Sequence, residues 1–300
     1  YVDLAAGPAV EDHACGQLSY DGHKGTDIRV RDLVALQQGV NVVAAARGKV
    51  VALRDGMPDR DVRTLRPASV KGVECGNGVV IDHGRGWQSK YCHMRRGSVL
   101  VSRGMTVVPG QPLGRMGMSG NTQFPHLHFE VTRDSKFVDP FNGLHQRPQG
   151  QCGGQGLTGS LWKISVAARL KYLTSGVISS GFAIKKPDIT GIEKGLFRKT
   201  SATVDAPLLV FWIQMYGLQP GDRYETALTG PGDTVLARDG KTHAGRHKAQ
   251  WYSWIGKRRP KSGVWPAGRY TGYYRLMRKS ATGDWRKVAA IKKIFVLESP

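Results

Sequence analysis

Two groups of residues in the first half of the chain have the types and spacings of metal ligands. The first is His23-Lys24-Gly25-Thr26-Asp27, in which an imidazole precedes a carboxylate by four positions. The second is His126-Leu127-His128, in which one residue separates two imidazoles. Proteins bind zinc with such nitrogens and oxygens. Patterns this short recur by chance in a chain with nine histidines, so the surrounding residues must decide between a metal site and coincidence.

The residues around His126 and His128 predict a β-strand. Apolar Leu127, Phe129 and Val131 alternate with the histidines, which places both imidazoles on one face and the apolar side chains on the other. Two histidines on one strand face can bind one metal ion. The alternative is a pair of solvent-facing histidines on an edge strand.

A third histidine, His93, ends another short strand-like run that begins at Gln88. Alternation along this run predicts that Cys92 lies on the face opposite His93. That placement favours Cys92 as half of a disulfide over a metal ligand or a nucleophile.

Seven short sequence blocks follow one another across residues 22–130. They are GHKGTDI (22–28), VAAARGKV (43–50), GNGVVIDHG (76–84), YCHM (91–94), VPGQPLG (108–114), GMSG (117–120) and HLHFE (126–130). With these blocks in this order, the chain resembles the lysostaphin-type (LytM-like) family of zinc metallopeptidases over most of residues 15–142. Several ordered blocks are far more specific than either ligand pattern alone.

The resemblance implies a role for each of five residues. His23, Asp27 and His128 are expected to bind Zn²⁺, and this set leaves one coordination position open, as catalytic zinc sites do. His93 and His126 are expected to be the catalytic residues that move protons and stabilise the oxyanion. Which of the two is the base stays open. All five positions are filled, which argues against the members of the family that lack the metal and only activate other wall hydrolases.

The four cysteines, Cys15, Cys75, Cys92 and Cys152, all lie in the first half of the chain. An even number without a Cys-x-x-Cys pair predicts two disulfides and an oxidising compartment, either periplasmic or secreted. We expect Cys75 to pair with Cys92 and Cys15 with Cys152, although the other two connectivities stay open.

Charge and composition divide the chain near residue 150. Residues 1–150 carry 19 basic and 14 acidic residues, whereas residues 151–300 carry 25 and 9, a net charge of +16. We therefore expect a LytM-type zinc metallopeptidase domain at 1–150, an ambiguous linker at 151–190 and a basic accessory domain at 191–300. The fold class expected is mostly β, with an antiparallel peptidase sheet followed by an immunoglobulin-like β-sandwich. No family resemblance is recognised in the second half.

Short apolar runs bounded by turn residues are the predicted strands. In the first half they are 41–46, 48–53, 78–82, 88–93 and 126–132, and in the second 208–216, 224–228, 234–237, 250–255, 270–277 and 288–297. Residues 54–76 are a polar insertion that we expect beside the site. No stretch approaches the roughly 18 apolar residues that would span a bilayer, so no transmembrane segment is expected.

These observations predict a zinc-dependent endopeptidase that hydrolyses amide bonds in peptidoglycan stem peptides or cross-links. The alternative is a non-catalytic or autoinhibited envelope protein that binds cell wall or activates another wall hydrolase. In the autoinhibited form, the insertion or the linker would fold over the cleft and could supply a fourth zinc ligand. The candidates for this occlusion are Asp59, Asp61 and the residues before His23. The basic second half could attract anionic envelope polymers or lipid headgroups, or its tryptophans could simply form a core. We do not expect a nucleic-acid partner.

Overall fold

The computed structural model describes residues 1–146, 159–261 and 263–299. The chain divides into two compact units, Tyr1–Tyr172 (unit 1) and Leu173–Pro300 (unit 2). Antiparallel sheets dominate both units, as the mostly β fold class predicts. Within the described ranges, no helix combines the length and the apolar character needed to cross a membrane.

Unit 1 contains nine short strands and two α-helices of about one turn each within its described residues. The strands are β1 (Thr26–Arg29), β2 (Asn41–Val43), β3 (Gly48–Arg54), β4 (Asn77–Gly84), β5 (Trp87–Met94), β6 (Thr106–Val107), β7 (Pro112–Arg115), β8 (His126–Arg133) and β9 (Lys136–Phe137); the helices are α1 (Leu33–Gln37) and α2 (Ile164–Ala167). All five strand-like runs of the first half overlap one of these strands. Strand β1, which carries Asp27, has only four residues and was not predicted.

The main sheet of unit 1 has the strand order β1-β8-β5-β4-β3-β6, and β9 pairs with β8 beyond the end of β1. One face of this sheet packs on a core that includes Val79, Tyr91 and Phe129. On β8 the buried Leu127 and Phe129 alternate with the two histidines, as the sequence predicts. The opposite face is therefore free to carry polar side chains.

The disulfide expected between Cys75 and Cys92 is present, and it joins the end of the 54–76 insertion to β5. Cys92 pairs with His128 across the sheet, so both side chains project from the same face. His93 reaches that face too, because its backbone adopts a left-handed conformation (φ 61°) that interrupts the alternation. The prediction that Cys92 and His93 face opposite sides was therefore wrong. The other expected pair includes Cys152, which lies outside the described residues.

The insertion at residues 54–76 packs along the loop formed by residues 116–123. The Asp59 carboxylate accepts hydrogen bonds from the backbone N–H groups of Met118 (2.6 Å) and Arg96 (3.0 Å). Two backbone hydrogen bonds, from Arg60 to Met118 and from Val62 to Thr122, continue this contact. The insertion thereby fixes the position of a loop that carries the carbonyl of Ser119.

Unit 2 contains eight strands and one short α-helix within its described residues. They are β10 (Gly176–Ala183), α3 (Ile189–Glu193), β11 (Ser201–Thr203), β12 (Leu208–Leu218), β13 (Arg223–Thr229), β14 (Val235–Thr242), β15 (Lys248–Arg258), β16 (Gly268–Lys279) and β17 (Trp285–Glu298). Every strand-like run of the second half overlaps one of them. The described part of the predicted linker is ordered, since residues 159–172 belong to unit 1 and residues 173–190 to unit 2.

The strands of unit 2 form a three-stranded sheet, β10-β12-β15, and a five-stranded sheet, β11-β17-β16-β13-β14. Side chains from both sheets, among them Phe211, Tyr274 and Phe295, form one buried core. Trp265 is buried there and donates a hydrogen bond to the carbonyl of Ala206 (2.7 Å), whereas Trp254 is 40% exposed. Some of the tryptophans are therefore core residues. The immunoglobulin-like assignment stays a prediction.

Candidate metal centre

The structure brings together all five site residues that the sequence indicated, from three strands and one loop. Asp27 lies on β1 directly opposite His128 on β8, so their side chains project side by side. His126 lies two residues before His128 on the same face. His93 ends β5, and His23 precedes β1. Gly25 permits this arrangement, because a side chain there would come within 2.7 Å of the His128 ring.

Three ligand atoms form a compact triangle. Asp27 Oδ1 lies 2.8 Å from His128 Nδ1 and 3.2 Å from His23 Nε2, and the two nitrogens are 3.2 Å apart. Around a tetrahedral zinc with bonds of about 2.0–2.2 Å, ligand atoms lie about 3.4 Å apart. The donor set of two imidazoles and one carboxylate thus fits a zinc ion in chemistry and in size.

Each of these two histidines is oriented by a hydrogen bond from its other ring nitrogen. His23 Nδ1 donates to the carbonyl oxygen of Tyr1 (2.6 Å), and His128 Nε2 donates to Glu130 Oε1 (3.0 Å). Because a carbonyl can only accept, His23 carries its proton on Nδ1 and presents a lone pair from Nε2. Such partners set the tautomer and raise the basicity of metal-binding histidines.

His93 and His126 are held in the same way. His93 Nδ1 donates to the carbonyl of Ser119 (2.7 Å), and His126 Nδ1 donates to the carbonyl of Phe124 (2.9 Å). The two ring centroids are 4.7 Å apart, and His126 Nε2 lies 3.5 Å from Asp27 Oδ1. Both histidines are buried and keep Nε2 available to move a proton.

The pKa shifts favour the neutral form of His93 and His126 and the charged form of His128 and Asp27. Burial lowers the pKa of His93 to about 3 and also lowers the pKa of His126, so both imidazoles are neutral at pH 7. Burial opposes charge on His128 as well, but hydrogen bonds to Asp27 and Glu130 raise its pKa to about 9. Burial opposes charge on Asp27, but the adjacent imidazoles of His128, His23 and His126 outweigh it and hold the pKa of Asp27 well below the usual range.

Comparison with known proteins finds a family match over the segment that contains this site. Residues 21–140 match Peptidase family M23. This segment is an M23 peptidase domain. It contains all five clustered residues, and it confirms the LytM-type resemblance.

The relatives of the M23 domain include a lipoprotein, an endopeptidase and a hydrolase activator. A lipoprotein NlpD/LppB homolog of Pseudomonas aeruginosa is 35% identical over 153 residues, which are 48% of this chain and 43% of the relative. The peptidoglycan DD-endopeptidase ShyB of Vibrio cholerae is 31% identical over 117 residues, 39% of this chain and 22% of the relative. The murein hydrolase activator EnvC of Escherichia coli is 36% identical over 100 residues, which are 33% of this chain and 22% of the relative. The chain thus spans less than half the length of each.

Three of the clustered residues of the M23 domain, His23, His93 and His128, line a cleft of about 610 Å³. The Tyr20 ring stacks on His23 at 4.2 Å between centroids, and the end of the 54–76 insertion forms part of the lining. The Asp59 carboxylate accepts hydrogen bonds from the backbone N–H groups of Met118 and Arg96, and the Asp61 carboxylate forms an ion pair with the guanidinium of Arg63. Among the described residues, two groups of side chains could hold a metal ion at this cleft, and neither group includes Asp59 or Asp61.

Two supporting groups of the M23 domain were not identified from the sequence. Glu130 follows His128 by two residues on the same strand face, a signal that could have identified it as the partner of that ring. The Ser119 carbonyl carries no such signal, because any residue type could supply it.

Glu130→Gln is expected to weaken zinc binding about 10- to 100-fold without abolishing it, because a neutral amide supports His128 less well than a carboxylate. Competition with a chelating dye would measure the affinity. Glu74→Gln is the matched control, since the Glu74 carboxylate hydrogen-bonds the backbone N–H of Gly72 and no site histidine. Equal zinc affinity in Glu130→Gln and the unaltered chain would contradict the assigned role.

Proposed function

We propose that unit 1 is a zinc-dependent endopeptidase that hydrolyses amide bonds in peptidoglycan stem peptides or cross-links. In this proposal His23, Asp27 and His128 bind Zn²⁺, and His93 and His126 are catalytic. The supporting observation is that ring nitrogens of His23, His126 and His128 lie within 3.5 Å of Asp27 Oδ1, with the His93 ring 4.7 Å from the His126 ring. A carbonyl or carboxylate holds the opposite nitrogen of each of the four rings. The M23 match and the endopeptidase relative support the substrate class.

A periplasmic or secreted location forms part of this proposal. The Cys75–Cys92 disulfide and the wall-hydrolase relatives support it. We also propose that the catalytic domain predicted at residues 1–150 lies within unit 1, and that the basic accessory domain predicted at residues 191–300 lies within unit 2.

The chemistry that a bound zinc ion would supply is polarisation of the scissile carbonyl and activation of water. The chain's own residues provide the proton transfers. His93 and His126 are neutral at pH 7 and present Nε2, so either imidazole can accept a proton from the attacking water and return it to the leaving amine. The carbonyls of Ser119 and Phe124 stabilise the protonated rings, because each accepts the opposite N–H.

Digestion of purified peptidoglycan by the zinc-loaded chain tests the proposal, with muropeptides identified by mass. We expect loss of cross-linked dimers, inhibition by chelator and recovery when zinc is restored. Heat-inactivated chain at the same zinc concentration serves as the control. A protein that holds one zinc per chain and releases nothing would contradict the proposal.

The second candidate function is activation of another wall hydrolase, favoured by the similarity to the murein hydrolase activator EnvC. An activator would increase the rate of a separate hydrolase in the same assay and would not need stoichiometric zinc. An autoinhibited peptidase closed by Asp59 or Asp61 is disfavoured, because both carboxylates hydrogen-bond other groups.

A further inference from the structure

The cleft of unit 1 runs across the strands of the main sheet. Asp27 on β1 is paired with His128 on β8, and His128 with Cys92 on β5. On the far side, Arg54 at the end of β3 is paired with Gly78 on β4. Four strand spacings of about 4.8 Å separate β1 from β3, about 19 Å in all. At about 3.3 Å per residue, an extended peptide of five or six residues covers that distance.

Three cationic side chains line this cleft, and only one of them is neutralised. Lys90 Nζ lies 3.2 Å from Glu130 Oε2 and forms an ion pair with it. Lys24 and Arg54 have no acidic partner within 4 Å among the described residues. The remaining acid of the lining, Glu74, accepts a hydrogen bond from the backbone N–H of Gly72 (2.8 Å).

The two unneutralised cations lie at opposite ends of the cleft and are held in place. Lys24 Nζ lies 4.9 Å from the centre of the Phe137 ring, at the edge of the sheet formed by β1 and β9. Arg54 donates a hydrogen bond to the carbonyl of Gly76 (3.2 Å), close to the Cys75–Cys92 disulfide. A cation held over an aromatic face or by a carbonyl loses less side-chain entropy when it binds an anion.

We propose that Lys24 and Arg54 determine substrate specificity by binding free carboxylates of the peptide on either side of the scissile bond. This rests on the proposed peptidase function and names its substrate class: anionic stem peptides with unmodified carboxyl groups. An amidated peptide offers no negative charge to the Lys24 ammonium or the Arg54 guanidinium. Guanidinium and carboxylate groups form short, charge-assisted hydrogen bonds that a neutral amide does not match.

Two cross-linked stem-peptide dimers test this, identical except that the side carboxyl groups are free in one and amidated in the other. The unaltered zinc-loaded chain is expected to cleave the free-acid dimer with about tenfold higher kcat/KM, because two partly exposed carboxylate contacts contribute about threefold each. Raising the salt from 0.05 M to 0.5 M should reduce that ratio, since partly exposed charges are screened.

Variants assign the preference to the two residues. Lys24→Gln and Arg54→Gln are each expected to lower the free-to-amidated ratio at least about threefold, whereas Lys24→Arg and Arg54→Lys should retain most of it. Lys71→Gln and Arg103→Gln remove one positive charge each from exposed positions outside the cleft lining and should leave the ratio unchanged. Zinc content and melting temperature establish that every variant is folded and loaded.

The cleavage results distinguish a failure of the proposed carboxylate specificity from a failure of the proposed peptidase activity. Equal cleavage of both dimers, or a ratio that Lys24→Gln and Arg54→Gln leave unchanged, overturns the specificity assignment while the peptidase stands. Cleavage of neither dimer overturns the peptidase. Calorimetric binding of the two dimers to the zinc-loaded chain then decides the specificity: about tenfold tighter binding of the free acid supports carboxylate recognition, and equal binding overturns it.

Discussion

Asp27→Ala is expected to produce a folded chain that has lost both its zinc and its hydrolytic activity. The Asp27 carboxylate is the only anionic ligand in the proposed set, and its Oδ1 lies within 3.5 Å of ring nitrogens of His23, His126 and His128. Without it, two neutral imidazoles would have to bind a divalent cation alone. We expect zinc to fall from about one per chain to below about 0.1, and hydrolysis to fall at least about 10³-fold.

Elemental analysis after dialysis measures the zinc, and muropeptide release measures the activity. Asp21→Ala is the matched control, because Asp21 is exposed and only two residues before His23. Asp27→Asn preserves shape without charge and separates the loss of a ligand from the loss of packing. Full zinc occupancy in Asp27→Ala would show that the metal is held elsewhere.

Most strands could be predicted from the sequence because alternating burial leaves a local signal. The apolar Leu127 and Phe129 define one face of β8, and the histidines must then occupy the other. Strand β1 was missed because four residues, Thr26–Arg29, are too few to show alternation. It forms because β8 supplies its hydrogen-bonding partners, which is a long-range effect.

The candidate site shows the same division between local and long-range information. The spacing of His23 to Asp27 and that of His126 to His128 are local, and the ordered blocks of the resemblance indicated the full set. The orientation of His93 could not be predicted, since its left-handed backbone depends on contacts across the fold. Its N–H donates to the carbonyl of Cys75 and its ring to that of Ser119.

His93→Ala and His126→Ala are expected to keep zinc and lose turnover. Neither residue belongs to the His23–Asp27–His128 triangle, so zinc should remain near one per chain. Each removes an imidazole that is neutral at pH 7 and presents Nε2 for proton transfer. A positioned general acid or base contributes about 10²- to 10⁴-fold to a rate, and we expect kcat to fall by that factor with little change in KM.

Zinc content, kcat and KM measured on the same preparations distinguish this result from unfolding. His145→Ala is the matched control, because His145 is exposed and outside the site. Added imidazole should partly restore His93→Ala or His126→Ala if the missing group transfers protons, whereas a purely structural role would show no rescue. An active His126→Ala enzyme would contradict the role assigned to that residue. Loss of zinc in either variant would instead identify the replaced histidine as a zinc ligand. His93 and His126 could bind a metal together with His128, because the ligand atoms of these three residues lie within 4.8 Å of one another.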